Sequence, residues 1–236
     1  MKKLFSLLLT STFIIALFGC GGTSSSPAPL AANDASYKGV YKGVLTGSTG
    51  HFWIDAYNTD ATKILLTVTF TDVSLDNVQG TLTMDGSNYV YNFSSNGCVM
   101  AFEVTPVGVV VNSGTSLVCS GHAGTIAVVA DKATSTVDVS VWEGTETNSG
   151  VICSQSGIWN VIIKGSKVAG THFVTASDCG ATGLAGNIVG TLTGDTISCT
   201  AADGDVTATG TVNGSSMSGN WTGLSLSGTF EGSKTL

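Results

Sequence analysis

The groups that could do chemistry in this 236-residue chain are three histidines, sixteen carboxylates and six cysteines, and their spacing assembles little of it. Nucleophilic catalysis needs a nucleophile, a base and an orienting group brought together. No serine sits in a Gly-x-Ser-x-Gly elbow, and the histidines stand far apart at His51, His122 and His172. His51 and His172 are each followed by Phe in similar surroundings, which points to a shared role. The plain role is a strand residue packed beside an aromatic; the sharper one is a contact to a ligand, and both remain as weak ligand candidates. Asp203 and Asp205 around Gly204, and Asn58 with Asp60, offer oxygens to Ca²⁺, but neither stretch has the ligand number of a calcium loop, so both read as solvated turns. Glycoside hydrolysis needs two carboxylates at a set separation, which sequence does not supply. Trp53, Trp142, Trp159 and Trp221 are spread along the chain and read as core or barrel closure before sugar platforms. No catalytic residue, metal or cofactor is expected, and the chain reads as a non-enzyme.

The cysteines carry more information. Besides Cys20 there are Cys98, Cys119, Cys153, Cys179 and Cys199, none in a Cys-x-x-Cys or Cys/His cluster, so disulfides are favoured over zinc. Pro106-Val107-Gly108 lies midway between Cys98 and Cys119 and suits a turn that folds the two arms back on one another. Cys98 and Cys119 are therefore the first expected pair. Cys179 and Cys199 have similar spacing and are the second, which leaves Cys153 as the free thiol.

These residues must be positioned by strands. Runs that alternate or are β-branched, such as Val40–Leu45, Ile64–Thr71, Val78–Met84, Tyr89–Phe93, Val99–Val104, Thr125–Val129, Val137–Trp142, Ile158–Ile163 and Ile188–Leu192, end in turn chemistry, and few windows have helical period. Asp85-Gly86 and Asn213-Gly214 suit primed hairpin turns. The expected fold is all-β, an antiparallel meander forming an up-and-down β-barrel or two related small barrels or sandwiches. Two echoes in the same order suggest duplication: "GVYKGVLTGSTGHFWIDA" with "GIWNVIIKGSKVAGTHFVTA", and "NVQGTLTMDG" with "NIVGTLTGDT". Gly/Thr-rich meanders also imitate one another by composition, so one domain and two both stand. The end, "VNGSSMSGNWTGLSLSGTFEGSK", alternates Gly or Ser with larger residues and loosely resembles the closing strands of small lipocalin-like envelope barrels.

The address is read from the other end. Met1-Lys2-Lys3 followed by an apolar run to Phe18 has signal-peptide length and is short for a membrane span. The quartet Leu17-Phe18-Gly19-Cys20 resembles the lipobox of bacterial lipoproteins. That resemblance implies an acylated Cys20 as first mature residue, and Gly21 instead of Asp after it implies outer-membrane delivery. The alternative is a secreted protein with an ordinary cleavage site. The expected organisation is 1–19 signal peptide, 20–35 flexible lipid-anchored tether, 36–145 first β unit and 150–236 second β unit, with the break in "EGTETNSG". Without residues 1–19 the chain keeps 7 Lys, no Arg and 16 acids, a net charge of 7 − 16 = −9, which excludes nucleic acid as a partner and disfavours phosphate recognition. The reading is a non-catalytic cell-envelope lipoprotein held at the membrane by its lipid anchor, a module that binds a ligand or an envelope protein. The alternatives are a structural surface protein and, behind it, a hydrolase. A polar cluster with a histidine beside a carboxylate in a cavity favours the enzyme; a filled interior favours the structural role.

Overall fold

The computed structural model describes residues 25–70, 73–122, 124–149, 153–201, 204–223 and 225–236. The signal segment, Cys20 and Asp203 lie outside the described residues. The fold is all-β and antiparallel, in two units.

The first unit is a nine-stranded sheet built from β1 (Gly39–Leu45), β2 (His51–Ala56), β3 (Ile64–Phe70), β4 (Val73–Gln79), β5 (Thr81–Asp85), β6 (Asn88–Ser95), β7 (Cys98–Val104), β8 (Ser116–Cys119) and β9 (Ile126–Ala133). Its order is β4-β3-β2-β1-β9-β8-β7-β6-β5, so β4 and β5 lie at opposite edges although only Gly80 separates them in the chain. The sheet therefore curls until its edges nearly meet. Its interior is filled: Tyr41, Phe52, Tyr91 and Phe102 are fully buried and their rings stack or meet edge to face around Phe102.

The second unit is a closed barrel of β10 (Val139–Ser149), β11 (Ser154–Lys164), β12 (Lys167–Ser177), β13 (Ala185–Thr193), β14 (Thr196–Ala201), β15 (Val206–Asn213), β16 (Ser216–Gly223) and β17 (Leu226–Lys234), each bonded to the next and β10 to β17. Closure leaves no sheet edge for a Ser/Thr-rich wall to protect. Four connections between paired strands, at Gly86, Gly165, Gly194 and Gly214, are two-residue loops in which the glycine takes positive φ. The glycine stands first in each loop, so these fit the type II′ turn, and Asp85 and Asn213 end the strands before them.

Two expectations about organisation are corrected. The break does not fall at 143–150, because that stretch lies within β10 and at its end; the chain crosses between the units at 134–138. A barrel strand shows water one polar face, and "EGTETNS" reads as a linker only until its inward positions have a partner wall. The echoes map unevenly too. The first corresponds to the hairpins β1–β2 and β11–β12, whereas the second spans the Gly80 break in one unit and runs through the unbroken β13 in the other.

The units share a wall. Val40, Val44, Ala133, Val139, Val141 and Ile162 form a separate buried cluster between the outer faces of β1, β9, β10 and β11. Asn160, fully buried there, donates from Nδ2 to the Leu45 and Ser48 carbonyls at 2.7 Å each and accepts from Thr171 Oγ1 at 2.9 Å. Lys42 pairs with Asp138 at 2.8 Å and Lys164 with Asp131 at 2.9 Å.

The tether is also shorter than 20–35. From Ala28 onward the chain is tied to the first unit: Asn58 Nδ2 donates to the Ala28 carbonyl and Asn58 Oδ1 accepts from Leu30 N, both at 2.9 Å. The buried Lys132 donates from Nζ to the carbonyls of Asn33, Asp34 and Ser36, and the Tyr37 carbonyl accepts from the hydroxyls of Tyr41 and Tyr91. Backbone oxygens capture this segment although it has little apolar surface of its own, which is why its composition reads as free.

Candidate functional site

The strand period of two sets the interior of the barrel. On β13 to β17 most exposed positions carry Thr, Ser and Asn, with Val189 an apolar exception, while the inward ones alternate small and large residues, as in Gly210 and Val212, Gly219 and Trp221, Gly228 and Phe230. The small residues make room for rings. A Cβ on Gly144 or Gly232 would meet the Trp159 indole at 2.4 or 2.5 Å, one on Gly210 or Gly219 would meet Phe230 at 2.7 Å, and one on Gly228 would meet Trp221 Nε1 at 2.6 Å. These glycines thus leave room both for the rings and for the carbonyl oxygens of the neighbouring strands, which the same Cβ atoms would meet at 2.1 to 2.3 Å.

One end of the barrel is solid. Trp142, Ile163, Val168, Leu192 and Val212 close a floor where the Gly165, Gly194 and Gly214 hairpins turn. Above it a cavity of about 80 Å³ extends towards the other end, with Ile188, Ile197, Ala208, Met217, Trp159 and Phe230 on its apolar walls and Gln155, Ala201 and Val206 nearer the mouth. At a minimum of ~15 Å³ for each water, this is space for a few waters or one small organic molecule.

The polar side chains in the cavity are few. Glu146 and His172 both face inward, with Glu146 Oε1 3.8 Å from His172 Nδ1, an ionic contact wider than a hydrogen bond. His172 Nε2 and Trp221 Nε1 are buried without a hydrogen-bond partner, and both residues line the cavity. β12 and β16 lie four places apart in the eight-stranded ring, so these two nitrogens belong to opposite walls. Cys199 also lines the cavity as a free thiol, and burial pushes its pKa up to about 11, so it stays protonated and a poor nucleophile at neutral pH.

The cysteines differ from expectation in the second unit. Cys98 and Cys119 lie directly opposite on β7 and β8 and are bonded. Cys179 is bonded to Cys153, not to Cys199, and Cys153 is not the free thiol. The physical reason is barrel geometry. Cys199 sits mid-strand with its side chain turned inward, whereas Cys153 immediately precedes β11 and Cys179 follows β12, so the ends of a hairpin bring those two together at the mouth. Ser154 N donates to Asp178 Oδ1 at 2.8 Å beside the bridge. Cys153, Asp178 and Cys179 have the spacing of metal ligands, but the disulfide occupies two of the three.

The remaining candidates disperse. His51 meets Glu143 at 2.6 Å between the two units, outside the barrel, and His122 lies against Phe70 in the first unit with ring centroids 4.7 Å apart. Asn58 holds the N-terminal segment, and Asp60 accepts from Thr62 and pairs with Lys63, contacts that hold its carboxyl below the usual range. Sequence reading missed Glu146, Gln155 and the lining role of Trp159 and Trp221. The inward alternation of "TETNS" and "GNWTG" was the signal for Glu146 and Trp221.

No family model matches this chain, and neither a curated protein nor a solved structure is similar to it.

Proposed function

We propose that the protein is a non-catalytic, lipid-anchored envelope protein whose second barrel binds a small ligand in its interior. The observation that carries this reading is the contrast between the units. The first is filled by aromatic rings around Phe102, while the second keeps a cavity with mainly apolar walls. Polar side chains on the outer wall, such as Thr209, Thr211, Ser218 and Asn220, support a barrel standing in water, since a membrane-spanning one needs an apolar band there. The lipobox resemblance at Cys20 supports attachment through acyl chains instead.

A hydrolase is the second reading, and the His172–Glu146 pair beside Cys199 is the observation in its favour. It ranks lower because burial keeps Cys199 a thiol, and among the described residues no hydrogen bond joins it to His172.

Titration of the mature, disulfide-bonded protein with toluene, followed by calorimetry and by alkylation of Cys199, tests ligand binding. Saturable binding that protects Cys199, lost in Ala208→Phe, supports the reading; neither binding nor protection sinks it. Labelled palmitate should enter the wild type and not Cys20→Ala, and label retained by that variant removes the anchor.

A further inference from the structure

The connections of the first unit fall at two ends, and one end collects apolar side chains that face water. The segment 28–38, the loop 57–63, the Gly86 hairpin, the loop 105–115 and the crossing 134–138 all lie where β1 begins and β9 ends. Nine large hydrophobic side chains are exposed among the described residues, and five of them, Leu30, Met84, Val107, Val109 and Val137, belong to this end. Leu30, Val107 and Val109 are each more than half exposed.

The turn that carries the two valines suits a medium poor in water. Pro106 has no N–H, and the amides of Thr105, Gly108 and Val109 donate to the Val109 carbonyl, the Thr105 carbonyl and Thr105 Oγ1 at 2.9 to 3.0 Å. Few donors are left to be stripped of water. The turn is also held against the N-terminal segment: a Cβ on Gly108 would run into the Ser36 carbonyl and the Lys132 side chain, whose Nζ holds the Asn33 and Asp34 carbonyls. Leu30 is bonded to Asn33 through its carbonyl, at 2.9 Å. Eight residues separate Cys20 from Ala28, and even fully extended they span roughly 28 Å. An acylated Cys20 therefore keeps this end, and not the opposite one, next to the bilayer.

Charge agrees. The Lys164–Asp131 pair places the Gly165 hairpin, and so the floor of the second barrel, at the same end. Lys38, Lys63, Lys167 and Lys234 reach water there, interspersed with acids such as Asp60 and Asp195, whereas the described residues of the barrel mouth include Asp178 and Asp205 and no lysine. An anionic bilayer repels the mouth more than the floor.

We propose that this end is a membrane-facing surface: Pro106, Val107, Val109 and Leu30 dip into the headgroup and upper acyl region of the bilayer that holds the Cys20 anchor, and the barrel mouth points away from it. This rests on the acylated Cys20 of the reading above and adds where the folded part meets lipid.

The acylated protein, reconstituted in vesicles of phosphatidylethanolamine and phosphatidylglycerol with a diazirine on the acyl chain, tests this by photolabelling and mass mapping. Label should fall on peptides covering 28–38 and 105–111 and not on the mouth at 178–184. Val107→Asp with Val109→Asp should cut the label at 105–111 about tenfold, the scale of two apolar side chains withdrawn from lipid, while palmitate stays on Cys20 and the urea midpoint holds. Palmitate with no label at 105–111, or label spread equally over 178–184, leaves the anchor and overturns the surface. A dimer of Cys20→Ser in ultracentrifugation that the two aspartates dissociate gives the face to a second copy and overturns it too. Absence of palmitate from the wild type removes the anchor, and the occupant argued here goes with it. Should the aspartate variant fold poorly, Val107→Ser with Val109→Ser is read in its place.

Discussion

Glu143 and Glu146 lie on β10 on opposite sides of the barrel wall, and each faces a histidine: Glu143 meets His51 of the other unit at 2.6 Å, and Glu146 meets His172 of the interior at 3.8 Å. An odd spacing on a strand gives opposite faces. The two histidines that look alike in sequence therefore have different duties, one joining the units and one bordering the cavity.

The His51–Glu143 contact is mostly shielded from water and should couple the units. A double-mutant cycle with His51→Phe and Glu143→Gln should give a coupling of about 1.5 kcal/mol in urea unfolding, the scale of a hydrogen bond to a charged group. A coupling near zero would show that the apolar cluster around Val40 and Val141 and the Asn160 and Lys164 contacts hold the wall without this pair.

Gly144 and Gly232 face one another across β10 and β17 with the Trp159 indole over both. Gly144→Ala would press a methyl carbon to 2.4 Å from that ring and should destabilise the barrel by about 1–3 kcal/mol. The denaturation midpoint and the Trp159 fluorescence should shift together, and an unchanged midpoint would refute the ring-over-glycine packing.

Burial lifts the Cys199 pKa from 9.0 to about 11, which fixes a direction for stability against pH. The native state keeps this proton where the unfolded chain has lost it, so the contribution of Cys199 is complete below pH 9.0 and is lost as pH rises to about 11. Urea midpoints of wild type and Cys199→Ala should differ by a pH-independent amount below that window, and the wild type should decline more steeply within it. Comparison with the variant removes the common contribution of Tyr41 and Tyr91, whose hydroxyls burial also pushes up.

A non-reduced digest should show Cys98 joined to Cys119 and Cys153 to Cys179. The second bridge closes a 26-residue separation, worth about 3 kcal/mol in the chain-entropy account. Cys153→Ser with Cys179→Ser should lower the midpoint accordingly and speed alkylation of Cys199 by loosening the mouth. A linkage of Cys179 to Cys199 would contradict the placement of both.

Lys132→Met should release the N-terminal segment, because three backbone carbonyls lose their shared donor. Limited proteolysis should then cut within 28–38, where the wild type resists.

Strand type was legible wherever alternation was strong, as at Ile64 to Phe70, and so was the Cys98–Cys119 pairing, because a turn residue lies between two arms of one meander. The break between units was not, since β10 carries Glu143 and Glu146 on its two faces and no apolar run announces it. Separation along the chain likewise misled on Cys179, because Cys199 is closer to it in sequence than Cys153 but points into the barrel. The cavity depends on which walls face one another across the ring, a relation that no local pattern encodes.

The ladder between β10 and β17 has a consequence for biogenesis. A chain that emerges from its N-terminus delivers β10 seven strands ahead of the partner that seals it. Until β17 arrives, Trp142, Trp159 and Met217 belong to an open, curling sheet with a sticky inner surface. The solid first unit needs nothing beyond β9 to complete its own pairing and can consolidate while the rest is still in transit. The late, long-range closure makes the barrel the slower half to mature and the half that a chaperone would have most reason to hold.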